Sequence, residues 1–153
     1  MHYAIHEGSF VLPDTALDRT VNILMLNDGP GGLNLVISRG RLREDENLDA
    51  FIAREWALAT REAPQLTERS RATWVVGGRT GVQIEATHEQ EGRLRHQIQT
   101  VFPSDDSGRV LVMTLTSAAP FTEEQRAMAA RMLDSFQPRA TRPTLIEKPD
   151  DAS

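Results

Sequence analysis

The sequence has no cysteine. Disulfide staples, thiolate nucleophiles and thiolate-bound metals are therefore excluded. It has one lysine, Lys148, among 17 basic residues set against 22 acidic ones, for a formal net charge of -5. That balance argues against nucleic acid as the main partner, because phosphate neutralisation needs clustered Lys and Arg. It also speaks against an anionic membrane surface. No apolar run approaches the ~20 residues of a membrane span. The opening MHYAIHEGSF has neither a basic n-region nor an apolar h-region, so no signal peptide and no direct membrane anchoring are expected. The expectation is a cytoplasmic protein. Its 153 residues suit one domain with a core that needs no staples.

Along the chain, His2 to His6 reads as a short strand, and Gly8 and Pro13-Asp14 punctuate the next stretch. DRTVNILML, about residues 19–27, is the next strand, and LNLVISR from Leu33 to Arg39 pairs with it across the turn-rich NDGPGG. That glycine loop is no phosphate cradle, since it lacks the Lys-Ser/Thr ending and leads into a strand. A helix comes after LNLVISR. EDENLDAF supplies carboxylates to its positive end, Leu48, Phe51, Ile52, Glu55, Trp56 and Ala59 recur at helical spacing, and Pro64 ends it. Arg69 to Val76, Arg79 to Glu89, Arg93 to Phe102 and Arg109 to Ser117 read as a four-strand meander with short turns. A second helix starts at Thr122, whose spacing to Gln125 has the form of a capping box. Its apolar stripe runs through Met128, Ala129, Met132, Leu133 and Phe136. The fold class is α+β: a twisted antiparallel sheet with two helices on one face. Residues 1–137 form the domain and 138–153, rich in proline and poor in apolar residues, form a flexible tail.

Two helices on one face leave the other face uncovered. A three-residue Gln90-Glu91-Gly92 loop would place Ile84 opposite Ile98 and sort Val82, Ile84, Ala86, Leu94, Ile98 and Phe102 onto a greasy face. Gln83, Glu85, Thr87, Gln97, Gln99 and Val101 then share a face rich in amides. In the remaining strands both sides are apolar: Val21, Ile23 and Met25 oppose Leu24 and Leu26, and Leu33, Leu35 and Ile37 oppose Val36. An uncovered face of this kind marks an interaction surface. A dimer mate, a loop or a tail is the plainer cover for it.

Catalytic signals are weak. His88 and His96 come together in the three-residue register, but a third metal ligand is missing. No serine lies in a nucleophile elbow, and the acidic runs sit where helix starts want negative charge. Neither an enzyme nor a cofactor nor a metal is expected.

The pattern Tyr3-x-x-x-Glu7-Gly8-x-Phe10-x-Leu12-Pro13, then Asp18-Arg19-Thr20-Val21-Asn22, resembles the DcrB-related Eag-type chaperones of type VI secretion. So do Leu35-Val36-Ile37-Ser38-Arg39, Arg54-Glu55, Gln97-x-Gln99 before Phe102, and Phe121 to Ser135-Phe136. The resemblance implies a PsbP-like fold and a homodimer whose sheet faces form a cradle. It also implies a partner, an effector protein whose N-terminal transmembrane helices are kept soluble for loading onto the secretion spike. By position Val21, Ile23 and Ile37 match apolar cradle residues, and Gln99 matches a cradle glutamine. Strand alternation adds Met25, Leu35 and Gln97 to the client-binding set. Many relatives have Gln where this chain has Glu55, which keeps that residue out of the set. A dimeric interaction module of the same fold, without a membrane-helix client, is the alternative.

Overall fold

The computed structural model describes residues 1–16, 19–26 and 32–139. The sequence-predicted tail from residue 140 onward and most of the glycine-rich turn lie outside the described residues. The chain opens with a two-stranded antiparallel sheet, β1 (His2–Ile5) and β2 (Gly8–Val11), in which Tyr3 stands opposite Phe10. β2 falls in a stretch where the sequence pattern reads only punctuation, because Gly8 and the short length weaken the strand signal. The main sheet contains β3 (Asn22–Met25), β4 (Asn34–Arg41), β5 (Thr67–Val76), β6 (Arg79–Gln90), β7 (Arg93–Pro103) and β8 (Arg109–Ser117). Their order is β3-β4-β8-β7-β6-β5, and every neighbouring pair is antiparallel.

The two helices are α1 (Leu48–Glu62), between β4 and β5, and α2 (Glu123–Asp134), after β8. Both start as their residues dictate. The Asn47 side chain accepts a bond from the Ala50 N–H at 2.8 Å. Thr122 and Gln125 form a reciprocal capping box, with bonds of 2.9 and 3.0 Å.

The helices do not share a face. Phe51 and Ile52 of α1 pack on Ile84, Val101 and Val110. Ala129, Met128 and Met132 of α2 pack with Leu35, Ile98 and Leu115, and Leu133 packs with Val76 and Phe102. Residues directly opposite each other in a ladder share a face. The row Ile23, Val36, Thr114, Gln99, Ile84 is therefore on the α1 side, and the row Leu24, Leu35, Leu115, Ile98, Glu85 is on the α2 side. The class, α+β with an antiparallel sheet and two helices, is as the pattern reads. The placement of both helices on one face is corrected. The reason is in the connections and in the strands themselves. Four antiparallel steps separate β4 from β5, so the two run parallel and α1 must cross over the sheet to join them. With that face partly taken, the apolar residues on the reverse need α2.

The β6–β7 hairpin is corrected too. The turn has two residues, Glu91 and Gly92, and both have positive φ, 55° and 77°. These are the dihedrals of the type I′ turn, whose twist matches that of the flanking strands. Ile84 stands opposite Gln99, not Ile98. Gln97, Gln99 and Val101 therefore share the α1 side with Ile84, while Ile98 and Phe102 join Gln83, Glu85 and Thr87 on the α2 side. Both faces of the sheet are covered over much of their area, so apolar alternation could not select the register.

Candidate functional site

The site is the part of the α1 side that α1 does not reach. The position of α1 is set by close packing. Phe51 lies over Gly40, where an added Cβ would come within 2.6 Å of the ring. Arg54 stands 5.1 Å from the Phe51 ring centroid and grips Glu46 with two bonds of 2.8 Å. The Arg54 bonds and the Arg43 backbone N–H hold the Glu46 carboxyl down at about 2, against an ordinary 4.5. The loop before the helix and the helix itself are thus tied together.

Beyond α1, toward the β3 edge, the face is open. Val21, Ile23 and Met25 stand out from it, and Ile23 and Met25 are each 70 % exposed. Ile23 is followed across the sheet by Val36, Thr114 and Gln99, and Met25 by Asn34, Thr116 and Gln97. The surface therefore grades from an aliphatic rim to a centre of hydroxyls and amides. The Gln99 amide donates to the Thr114 hydroxyl at 3.3 Å. Such a face can take an apolar segment while offering partners to its polar groups.

Of the sequence-predicted set, the structure brings together Val21, Ile23, Met25, Gln97 and Gln99. It separates Leu35 and Ile37. Leu35 is 5 % exposed in the core beneath α2, and Ile37 packs against the same cluster. Both point to the other side of β4 because Val36, between them, shares a row with Ile23. Val36, Thr114 and Thr116 are the residues sequence reasoning missed. No local signal could have found them, because the β3–β4 loop is long and β4 pairs with β8, a strand far along the chain.

The open face continues into a cavity of about 580 Å³ under the edge of α1, bordered by Glu55, Trp56, His88, Gln97, Gln99 and Val112 among others. The position kept out of the client set, Glu55, is therefore on its wall, its carboxylate 3.1 Å from Arg54. Burial, with Arg95 adding to it, pushes the His88 imidazole below its ordinary value. Its Nδ1 is buried without a hydrogen-bond partner, and a neutral ring is the form such a place tolerates. His88 and His96 do not meet: His96 stands opposite Thr87, and His88 opposite Arg95, on the other face. Among the described residues no group of three or more His, Asp or Glu could hold a metal ion, and no helix is long and apolar enough to cross a membrane.

A six-stranded antiparallel sheet between two helices, with an apolar rim left open on one side, defines an α+β domain with part of one sheet face exposed. The chain belongs to the DcrB family, whose profile matches residues 7–135. It is 26 % identical over 141 residues to Effector EagT6 of Pseudomonas aeruginosa, covering 91 % of this chain and 96 % of that protein. A crystal structure of a P. aeruginosa protein of unknown function, PA94, superposes with a TM-score of 0.69 at 24 % identity, covering 92 % of this chain and 98 % of the other. That likeness carries the fold. The solution structure of the cyanobacterial PsbP protein CyanoP from Synechocystis has a TM-score of 0.46 at 11 % identity, covering 88 % and 87 %.

Proposed function

We propose that this protein is a cytoplasmic chaperone and adaptor that holds the N-terminal transmembrane helices of a type VI secretion effector. It keeps that effector soluble for loading onto the secretion spike. One observation carries the reading: Ile23 and Met25, each 70 % exposed, form an apolar rim in register with Val36, Thr114 and the amides of Gln97 and Gln99. Membership of the DcrB family and the likeness to Effector EagT6 support it.

The recognition is of the helix-in-groove kind. Client helices lay apolar faces on Val21, Ile23, Met25 and Val36, and each well-buried aliphatic contact contributes ~1.5–3 kcal/mol. Gln97, Gln99, Thr114 and Thr116 meet polar backbone or side-chain groups. The client is released intact because no covalent step is involved. The test is co-expression with an effector carrying N-terminal transmembrane helices, followed by pull-down. Ile23→Gln with Met25→Gln is expected to leave a folded protein that no longer recovers soluble client, and unchanged recovery overturns the reading.

The working form on this reading is a homodimer. Among the described residues, eight of the eleven large apolar side chains that stand exposed lie within the first 25 residues. A two-stranded hairpin such as β1–β2 is marginal by itself in water, so this arm needs a neighbour. Light scattering decides the state. A dimer that binds no apolar dye and retains no client favours the alternative, an interaction module whose open face is closed by its own second copy.

A further inference from the structure

We infer that Arg39 is the positioning residue of the client-binding rim, acting through Asn22 and Thr20 rather than by touching the client. The inference deepens the proposed function and rests on it for its binding consequence, but not for its structural one.

β3 is a four-residue edge strand in which every residue is exposed. Packing holds such a strand only weakly, since even its best-covered large apolar side chain, Leu24, is 44 % exposed, and a single neighbour, β4, gives it few ladder bonds. Polar bonds at its entrance supply what packing does not. One nitrogen of the Arg39 guanidinium donates to the Asn22 side-chain oxygen at 2.9 Å and to the Thr20 carbonyl oxygen at 3.3 Å. The Thr20 hydroxyl in turn lies 2.8 Å from the Tyr3 hydroxyl, which connects the β1–β2 arm to the same point. Val21, the first residue of the rim, lies between the two residues that Arg39 holds.

Alternation makes the arrangement specific. Asn22 shares its face with Ile37, and Ile23 shares its face with Val36. Fixing Asn22 on the reverse of the strand therefore fixes Val21 and Ile23 outward, since a slip of one residue would exchange the faces. A planar guanidinium suits this task, because it can serve a side-chain oxygen and a backbone carbonyl from one fixed frame. The sequence spaces Thr20, Asn22 and Arg39 so that they meet only when β3 and β4 pair in this register.

Hydrogen exchange on the full chain tests the structural claim without a client. Arg39→Ala is expected to speed exchange of the β3 amides roughly tenfold, while the amides of β7 and β8 stay as protected as before. Asn22→Ala should reproduce that effect, and the double variant should be no worse than either single one. Asn22→Asp, whose bond to Arg39 is charge-assisted, should keep β3 protected. Unchanged β3 exchange in both alanine variants overturns the inference. So does a loss of protection throughout the sheet, which would make Arg39 a general structural residue.

For binding, the probe is a synthetic, Lys-flanked Leu/Ala helix of about 20 apolar residues. Arg39→Ala is expected to bind it at least threefold more weakly than the parent, and Asn22→Asp to bind it as the parent does. Equal binding by Arg39→Ala, despite a loosened β3, overturns the positioning role. No binding by the parent protein overturns the chaperone reading and with it the binding half of the inference, leaving exchange to judge the strand.

Discussion

Ile84 and Gln99 stand directly opposite each other in the β6–β7 ladder. Ile84 is fully buried beneath α1, and Gln99 is half-buried at the floor of the open face. Two side chains of opposite character thus share one face within one cross-strand pair. Ile84 belongs to the cluster with Phe51 and Ile52 of α1, and Gln99 lines the cavity beside it, so the boundary between core and site falls within this pair.

The turn that sets this pairing is open to improvement. Glu91 adopts φ 55° without the freedom of glycine, and Gly92 adopts 77°. Glu91→Asn, which supplies the Asn-Gly pair that type I′ turns prefer, is expected to raise stability by about 0.5–1 kcal/mol. Gly92→Ala is expected to lower it by about 1 kcal/mol. Urea midpoints of the two variants check both signs, and equal midpoints would remove the turn as a source of the register.

Stability and client retention should separate cleanly along β3 and β4. Leu35→Ala empties a site in the core under α2 and is expected to cost ~2–5 kcal/mol without acting on the client surface. Ile23→Gln, at a residue 70 % exposed, is expected to shift stability by no more than about 0.5 kcal/mol and to reduce client recovery. Denaturant unfolding paired with pull-down reads both. A large stability loss at Ile23 would place that side chain in a core.

Gly40 and Phe51 fit one another closely enough to couple. Gly40→Ala sets a Cβ within 2.6 Å of the ring, and is expected to cost ~1–3 kcal/mol by overpacking. Phe51→Leu in the same chain should recover part of that loss, giving a non-additive double-mutant cycle. Additive losses would mean that α1 shifts away as a body rather than meeting resistance at this contact.

Glu46 gives the fold an acid limb. Its carboxyl sits at about 2 in the folded chain because Arg54 and the Arg43 N–H hold the ionised form, against an ordinary 4.5. A carboxyl lowered on folding adds stability that is whole above the ordinary value and drains away as pH falls toward the folded one. Glu46→Gln is therefore expected to be less stable than the parent at neutral pH, with the gap closing as pH falls from about 4.5 toward 2. Urea midpoints across that range check it, and a gap that stays constant would show that the ion pair is not its source.

Much of this protein is legible from local signals. The carboxylates of EDENLDAF before a helical stripe, the Thr122–Gln125 capping box and Gly77-Gly78 at a turn each act within a few residues. Both helices and the four strands of the meander fall within a few residues of where these signals put them. The alternation in DRTVNILML likewise places Val21, Ile23 and Met25 on one side and Leu24 and Leu26 on the other. Nothing local could tell which way Leu35 points relative to a helix more than 80 residues later in the chain.

Local residue patterns therefore settle the two helices, the strands of the main sheet and the two-sided greasiness of β3, β4 and β8, but not β2. Only the assembled fold places α1 and α2 on opposite faces, joins Gln97 and Gln99 to Ile23 while sending Leu35 and Ile37 into the core, and brings Arg39 to Asn22. The physical reason is a degeneracy. Alternation reports a face only when the other face is polar, and here apolar residues line both sides of those strands. Pairing register and helix crossover, which depend on contacts between residues far apart in the chain, had to break the tie.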